Sequence, residues 1–286
     1  MNQKTDVSAL PDGIYPGINE SDYHAARELV SSSLLKQVRR TPAHARHYML
    51  QGGSQPTPAM QIGTATHIAT LEPESLDARV AAMPDGLDRR TKAGKEEYAE
   101  LAASGRIILA ADDYDMVLRI RDSVHAHPAA ATLLQGTRAE VTAIWTDALT
   151  GTRCKARADA LCNSGKVIID LKTTTDASPD GFARAVVNFG YALQAAHYVE
   201  GFRASEMAFI AVEKVAPYAV GVYCLDDAAI AYGRSMRERL MVQLDDCIRS
   251  GVWPSYGDQP LFLSLPRWAL SGEEAAAANT EMGVAA

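Results

Sequence analysis

The sequence predicts an α/β fold in which a central sheet is flanked by helices. Up to about residue 127 the apolar residues recur with a helical period near 3.6. From residue 138 the period falls to 2 over three successive stretches, and from residue 178 helical and strand patterns alternate again. With 286 residues and 47% hydrophobic content the chain can bury a large core, as one large domain or two small ones. Residues 1–13 form a polar leader, and the small, polar residues 271–286 are expected to be a disordered tail.

In chain order, Ser31-Ser32-Ser33 ahead of Leu34-Leu35-Lys36-Gln37-Val38 supplies hydroxyl caps followed by periodic apolar positions, the start of a helix. Pro42 interrupts it, and residues 43–50 add a further turn or two. A loop rich in Gly, Ser and Pro covers 51–58, and Gly63 to Leu71 reads as a short buried helix. Residues 84–95, carrying Arg89, Arg90, Lys92 and Lys95, form a basic mobile loop that enters a helix ending near Ser104. Asp112 or Asp113 caps the next helix, which runs to about His127. Strands follow at 138–147, 152–162 and 165–173, joined into a meander by the turn-like segments 147–151 and 163–165. Ser178 or Pro179 opens a helical region broken near Gly190 and ending near Phe202, and strands at 206–214 and 218–225 come next. Asp226 or Asp227 caps a long helix that turns Ile230, Met236, Leu240, Leu244 and Ile248 to the core. From Trp253 to Leu270 the chain is Pro-rich and irregular, with apolar residues that should pack down. No internal repeat is visible.

The net charge of -7 argues against broad nonspecific binding to nucleic acid, while leaving room for a local basic strip around a metal site. The N-terminus is polar, and no apolar run approaches the roughly 20 residues that span a bilayer, so no membrane role and a cytoplasmic location are expected. The four cysteines, Cys154, Cys162, Cys224 and Cys247, show no CxxC pairing and read as reduced core thiols. A zinc ribbon or an iron-sulfur cluster is therefore not expected.

The chemistry is concentrated in Lys166-Val167-Ile168-Ile169-Asp170-Leu171-Lys172, where an apolar strand ends in an acid and a lysine. Side chains two apart on a strand share a face, so Asp170 and Lys172 project together from a segment where unpaired charge is expensive. A salt bridge at a strand end is the plain explanation. Against it, this is the only acid-x-Lys in the chain, and Asp159 lies eleven residues upstream on the strand-like Arg157-Ala158-Asp159-Ala160-Leu161. Two carboxylates and a lysine on adjoining strands make a divalent-metal site with a water-activating cation. Hydrolysis of a phosphodiester needs an in-line water, neutralised phosphate charge and a stabilised leaving oxygen, which hard cations held by carboxylates provide. In that reading Asp159 and Asp170 bind Mg2+, for which Mn2+ can substitute, and Lys172 orients or deprotonates the attacking water.

The order helix, three strands, helix, strand, with acids on the second and third strands, resembles the PD-(D/E)XK nuclease superfamily. Gly63-Thr64-Ala65-Thr66-His67 resembles the GxxxH motif of its RecB-like branch, and Gln194-Ala195-Ala196-His197-Tyr198 the QxxxY motif, in the family's order. Ser32-Ser33-Leu34-Leu35, Thr41-Pro42-Ala43-His44, the hairpin from Thr150 to Asp159 and the closing Trp253-Pro254-Ser255-Tyr256 are similar to RecE-type phage and prophage exonucleases. The resemblance covers about 14–270 and implies a restriction-endonuclease-like fold with a central mixed sheet flanked by helices. It also implies a metal-dependent exodeoxyribonuclease that acts on ends of double-stranded DNA and generates single strands for recombination. A RecT-like single-strand annealing protein and a homo-oligomer are the implied partners, and a bacterial host cell the implied setting. The alternatives are a RecB-like single-strand or flap nuclease of repair or defence, and a catalytically silent module that binds DNA ends.

Carried over residue by residue, the resemblance makes the Leu171 carbonyl a further metal ligand and His67 the residue that completes the coordination. A hydrogen-bonded core histidine is the competing reading for His67. On a helix, His67 shares a face with Gly63, whose small size would let that face approach the sheet. Glu140, at the start of the first strand, either reaches a second of two metal ions or is a surface glutamate. Gln194 and Tyr198 share a helix face and are expected to contact DNA near the scissile phosphate, or else to cap a loop and pack on the sheet. Arg39, Arg40 and Arg46 either line a DNA path or form a solvated helix face, and His125 and His127 suit a helix end.

Overall fold

The strands of the meander lie in the middle of the sheet because both of their faces are apolar, and everything else packs to one side or the other. The computed structural model describes residues 4–51, 57–84, 86–88 and 90–265. The expected tail at 271–286, Arg89, and residues 52–56 of the Gly/Ser/Pro loop lie outside the described residues. In chain order the first elements are β1 (Gly13–Tyr15), α1 (Glu20–Ala25), α2 (Ser32–Arg40), α3 (Pro42–Gln51) and α4 (Pro58–Leu71). Next come α5 (Leu76–Arg79), β2 (Val80–Ala82), α6 (Lys92–Ala103), β3 (Ile107–Leu109), α7 (Ala111–Ala126) and α8 (Pro128–Leu134). The meander is β4 (Thr137–Thr146), β5 (Arg153–Cys162) and β6 (Val167–Thr174), followed by α9 (Pro179–Asn188), α10 (Tyr191–Phe202), β7 (Glu206–Glu213), β8 (Val220–Cys224) and α11 (Asp227–Ser250).

The sheet runs β1-β4-β5-β6-β7-β8. It is mixed, since β6 and β7 are parallel while the other neighbours are antiparallel. The parallel pair is joined by the α9–α10 crossover, as parallel strands require. Helices cover both faces, which is why β6 reads as a continuous apolar run rather than an alternating one. Ile168 belongs to a core shared with α2, α9, α10 and α11, whereas Ile169 and Leu171 pack with Ile120, Val124 and Ala130 of α7 and α8. A separate core joins α4 and α7 to the small β2–β3 pair.

Caps predicted from hydroxyls and acids are present. Ser31 accepts from the Leu34 amide at 3.2 Å, Ser178 from Gly181 at 3.1 Å and Asp226 from Ala229 at 2.8 Å. Asp112 and Asp113 do not cap α7; they lie in its first turn, where their charge favours the positive helix end, and Ala110 occupies the cap. His127 ends α7 and also caps α8, with Pro128 at the first position. On α11 the buried face is Met236, Leu240, Leu244 and Cys247, while Ile248 is exposed, because the helical repeat carries position 248 off the stripe. At Gly233 this helix meets α10 so closely that a Cβ would lie 2.2 Å from the Ala192 carbonyl oxygen.

All four cysteines are free; Cys154 and Cys247 are buried, but Cys224 is exposed at the end of β8. None of the described helices is long and apolar enough to cross a membrane. Residues to Trp253 form one compact unit, and the described residues from Pro254 belong to a second. Over 254–265 the second unit has no regular element, and Leu261, Phe262 and Leu263 are exposed rather than packed, since so short a segment cannot bury them itself.

Candidate active site

Three carboxylates stand in a row across the middle of the sheet. Ala139 pairs with Ala160 and Val141 with Ala158, which sets Glu140 opposite Asp159 across β4 and β5. The β5–β6 ladder ends at the pair Ala160 and Ile169. The next residues in that register are Asp159 and Asp170, and there the two strands part. Asp159 occupies the gap with a side-chain bond in place of a backbone one, its Oδ2 accepting from the Leu171 amide at 2.9 Å. Glu140 has a left-handed backbone with φ 54°. That conformation is uncommon for a residue with a Cβ, costs on the order of 1–3 kcal/mol and is tolerated where the surroundings fix it.

The acids are not alone. Asp170 is 1% exposed, accepts from Gln194 Nε2 at 2.6 Å and forms an ion pair with the Lys172 ammonium. Burial pushes the Asp170 carboxyl up, with Lys172 opposing it. Burial would lower Lys172, but Asp170 and Asp159 outweigh it and hold the amine above the ordinary lysine value, so the lysine is an ammonium. Glu140 is raised to about 7, by burial first and then by repulsion from Asp159, although the Arg157 guanidinium lies 3.4 Å away.

His67 reaches in from α4. Its Nε2 donates to the Leu171 carbonyl at 2.7 Å and lies 3.5 Å from Asp159 Oδ2, so the two non-carboxylate groups of the expected ligand set face each other. Gly63 does not serve the close approach expected of it: a Cβ there would meet nothing within 4 Å. The helix is brought in instead by Ala65, Ile68 and Ala69, which pack in the core it shares with α7.

Gln194 is buried and bridges two charges, donating to Asp170 and accepting from Lys36 Nζ at 3.3 Å. Tyr198 borders two neighbouring cavities. One, of about 220 Å³, is lined by His67, Glu140, Arg157 and Asp159; the other, of about 630 Å³, by Ser31, Lys36, Tyr48 and Lys155. Arg39 donates to the Val187 carbonyl at 3.4 Å, Arg40 is exposed, and Arg46 lies over the Trp253 ring at 6.0 Å; none of the three lines either cavity. His125 Nε2 donates to the Thr70 carbonyl at 3.0 Å, consistent with a structural place.

Sequence reasoning passed over three cations. Lys36 is brought to the site from α2 by helix packing across 158 residues, and burial followed by Lys172 lowers its amine to about 8. Lys155 is lowered to about 8 by burial and donates to the Tyr23 and Ala26 carbonyls, tying α1 to β5. Arg157, two residues before Asp159, is paired with Glu140; only its period-2 relation to Asp159 could have signalled it.

Among the described residues no three His, Cys, Asp or Glu side chains converge closely enough to hold an ion as they stand. The donor types nevertheless fit a hard divalent cation: three carboxylates in register, a backbone carbonyl and an imidazole. Asp170 Oδ2 is buried and its charge is met by the Lys172 ammonium, so a cation bound there would take over a place that a positive charge already holds.

Residues 31–261 match the family described as a PDDEXK-like domain of unknown function (DUF3799). No curated protein matches the chain. Among solved structures, the fold is similar to a "Putative exonuclease" from Eubacterium rectale, with 16% identity, a TM-score of 0.61 and coverage of 90% of this chain and 99% of that one. An alkaline exonuclease from Laribacter hongkongensis aligns with 14% identity and a TM-score of 0.35, over 80% of this chain and 95% of that one. A phage related exonuclease from Haemophilus somnus 129PT aligns with 12% identity and a TM-score of 0.37, over 78% and 96%.

Proposed function

Since the chain belongs to the PDDEXK-like family of domains of unknown function (DUF3799), we propose that it is a divalent-metal-dependent exodeoxyribonuclease acting on ends of double-stranded DNA. The observation that carries this reading is the Lys172 ammonium held against buried Asp170, beside Asp159, where β5 and β6 part. Mg2+ or Mn2+, as two ions held by Asp159, Asp170, His67 and the Leu171 carbonyl, with Glu140 reaching the second, would neutralise the phosphate and acidify a bound water.

The protein's own groups then have separate tasks. Asp170 would be one of the residues that hold the cation, and Lys172, now paired with it, lies where it could meet the attacking water. Lys172 would orient that water and stabilise the negative charge left on its oxygen as it gives its proton to solvent, a contribution typically on the order of 10² to 10⁴ in rate. Gln194 keeps Asp170 in place, because its own carbonyl is fixed by Lys36. Arg157 opposes the charge of Glu140 and so lets a third carboxylate remain near the other two. In this reading the single strands produced pass to a RecT-like annealing protein, and the enzyme works as a homo-oligomer.

The test is digestion of 5'- and 3'-labelled duplexes, linear and closed circular, with magnesium and with EDTA. Progressive loss of linear duplex with magnesium, with closed circles intact, is the expected outcome. Rapid nicking of circles at the same enzyme concentration would favour an endonuclease on this fold, and no cleavage of any form would favour the silent end-binding module.

A further inference from the structure

The reversal between α9 and α10 carries an aromatic side chain that the core does not use. Phe189 is 61% exposed, and Val187 beside it is 56% exposed. Gly190, with φ 66°, turns the chain so that Phe189 ends one helix and Tyr191 begins the next. Phe189 is nonetheless anchored: its ring centre lies 5.8 Å from that of Tyr191, and Tyr191 lies 5.7 Å from the fully buried Phe209 and 5.9 Å from Phe182. An aromatic run therefore leads from the core to a solvent-facing ring.

Cations border the same corner. Lys36 and Lys172 sit 5.4 Å and 5.1 Å from the Tyr191 ring centre. Arg39 donates to the Val187 carbonyl and would lie 3.2 Å from a Cβ at Gly190. Among the described residues, neither Lys36 nor Arg39 forms an ion pair with a carboxylate. Sharing Tyr191 as a neighbour puts the Phe189 ring centre within about 11 Å of the Lys172 ammonium, a few steps of stacked strand at ~3.4 Å each. An exposed ring beside Lys36 and Arg39, neither of which has a carboxylate partner, is the combination that holds unpaired nucleotides, since every base has a π-face and every link a negative charge.

We infer that Phe189 is a stacking platform for an unpaired base of the strand entering the active site, with Lys36 and Arg39 holding the adjacent phosphates. This rests on the nuclease reading for the identity of the strand. It adds that the base against Phe189 is unpaired when bound, which the comparison of paired with mismatched ends tests. A second copy of this chain covering the apolar corner is the competing occupant. The cations favour nucleic acid, as they would be buried without counter-charge in such a contact.

The experiment uses the full chain and duplexes carrying 2-aminopurine at the terminal or third position, paired or mismatched, in EDTA and in calcium. Quenching of the terminal base on binding is expected for wild type and Phe189→Trp, with partial quenching for Phe189→Leu. Phe189→Ala should lose the quench and bind frayed or single-stranded ends about 5- to 100-fold more weakly, with an unchanged thermal midpoint, since the ring is exposed. Wild-type quenching and affinity in Phe189→Ala would overturn the inference, as would absence of quenching in wild type. A change in sedimentation of Phe189→Ala without DNA would assign the corner to a second copy instead. Quenching that depends on Phe189 in a chain unable to cleave with magnesium would leave the platform standing and remove the nuclease reading.

Discussion

Removing Lys172 should unbalance the buried site even before catalysis is considered. In Lys172→Met the Asp170 carboxylate, 1% exposed, keeps only its bond from Gln194. Breaking a buried ion pair from one side typically costs 3–5 kcal/mol. Because the Lys172 side chain is 19% exposed and so partly solvated, a cost of about 3 kcal/mol at pH 8 is expected. At roughly 2–4 °C per kcal/mol for a chain of this size, the midpoint falls by about 6–12 °C. Asp170→Asn leaves the ammonium with Asp159 as a nearby counter-charge and should cost less, about 1–2 kcal/mol. The double variant removes both charges and should cost no more than about 1 kcal/mol, a coupling of about 3–5 kcal/mol. The Lys172→Met defect should also shrink as pH falls, since burial already pushes the Asp170 carboxyl up and protonation removes the stranded charge. Urea titrations of the four proteins in EDTA at pH 8 and pH 5.5 measure these quantities. Additive costs in the double variant, or a Lys172→Met protein as stable as wild type at pH 8, would show that the ammonium does not balance Asp170.

Asp159→Ala should abolish magnesium-dependent cleavage while the circular-dichroism spectrum stays native, and wild-type-like digestion of linear duplex by that variant would remove Asp159 from the site. Because Glu140 is raised to about 7, Mn2+ affinity measured by calorimetry should fall in wild type as pH drops from 8 to 6, with Glu140→Gln weaker but flatter across that window; equal slopes would exclude Glu140 as a ligand. His197 is held down to about 3, by burial first and then by Arg237. A histidine depressed on folding stabilises the native state fully above its unfolded value of ~6.5, and that stability drains as pH falls toward 3, by up to about 1.4 kcal/mol per unit. Urea midpoints between pH 7 and 5 should therefore fall more steeply in wild type than in His197→Gln, and parallel slopes would contradict the assignment.

What could be read from the sequence depended on how local its cause was. Strands β4, β5 and β6 were legible because their pattern is written in adjacent residues, and Asp170 with Lys172 because two-residue spacing fixes a shared face. The three-residue strands β1, β2 and β3 have no room for a pattern, and α8 was hidden because Pro128 reads as a stop when it is the first position of a new helix. Gly63 was assigned a close approach that belongs to Gly233, since a single sequence cannot say which glycine faces another backbone. Lys36 carried no local signal, because its contact with Gln194 exists only once α2 lies beside α10.

The contact at Gly233 gives the site a mechanical tolerance set from outside it. Ala192, whose carbonyl would lie 2.2 Å from a Cβ at that glycine, is two residues from Gln194 on the same helix. A methyl group at 233 could be accommodated only by parting α10 and α11 by on the order of 1 Å, a displacement that at a reacting centre can cost ~10² in rate. Where α10 gives way, the 2.6 Å link from Gln194 to Asp170 moves with it. A change on α11 would thus be passed to Asp170 through α10, and if Asp170 serves the proposed reaction, a screen for inactive variants would return Gly233 among the acids.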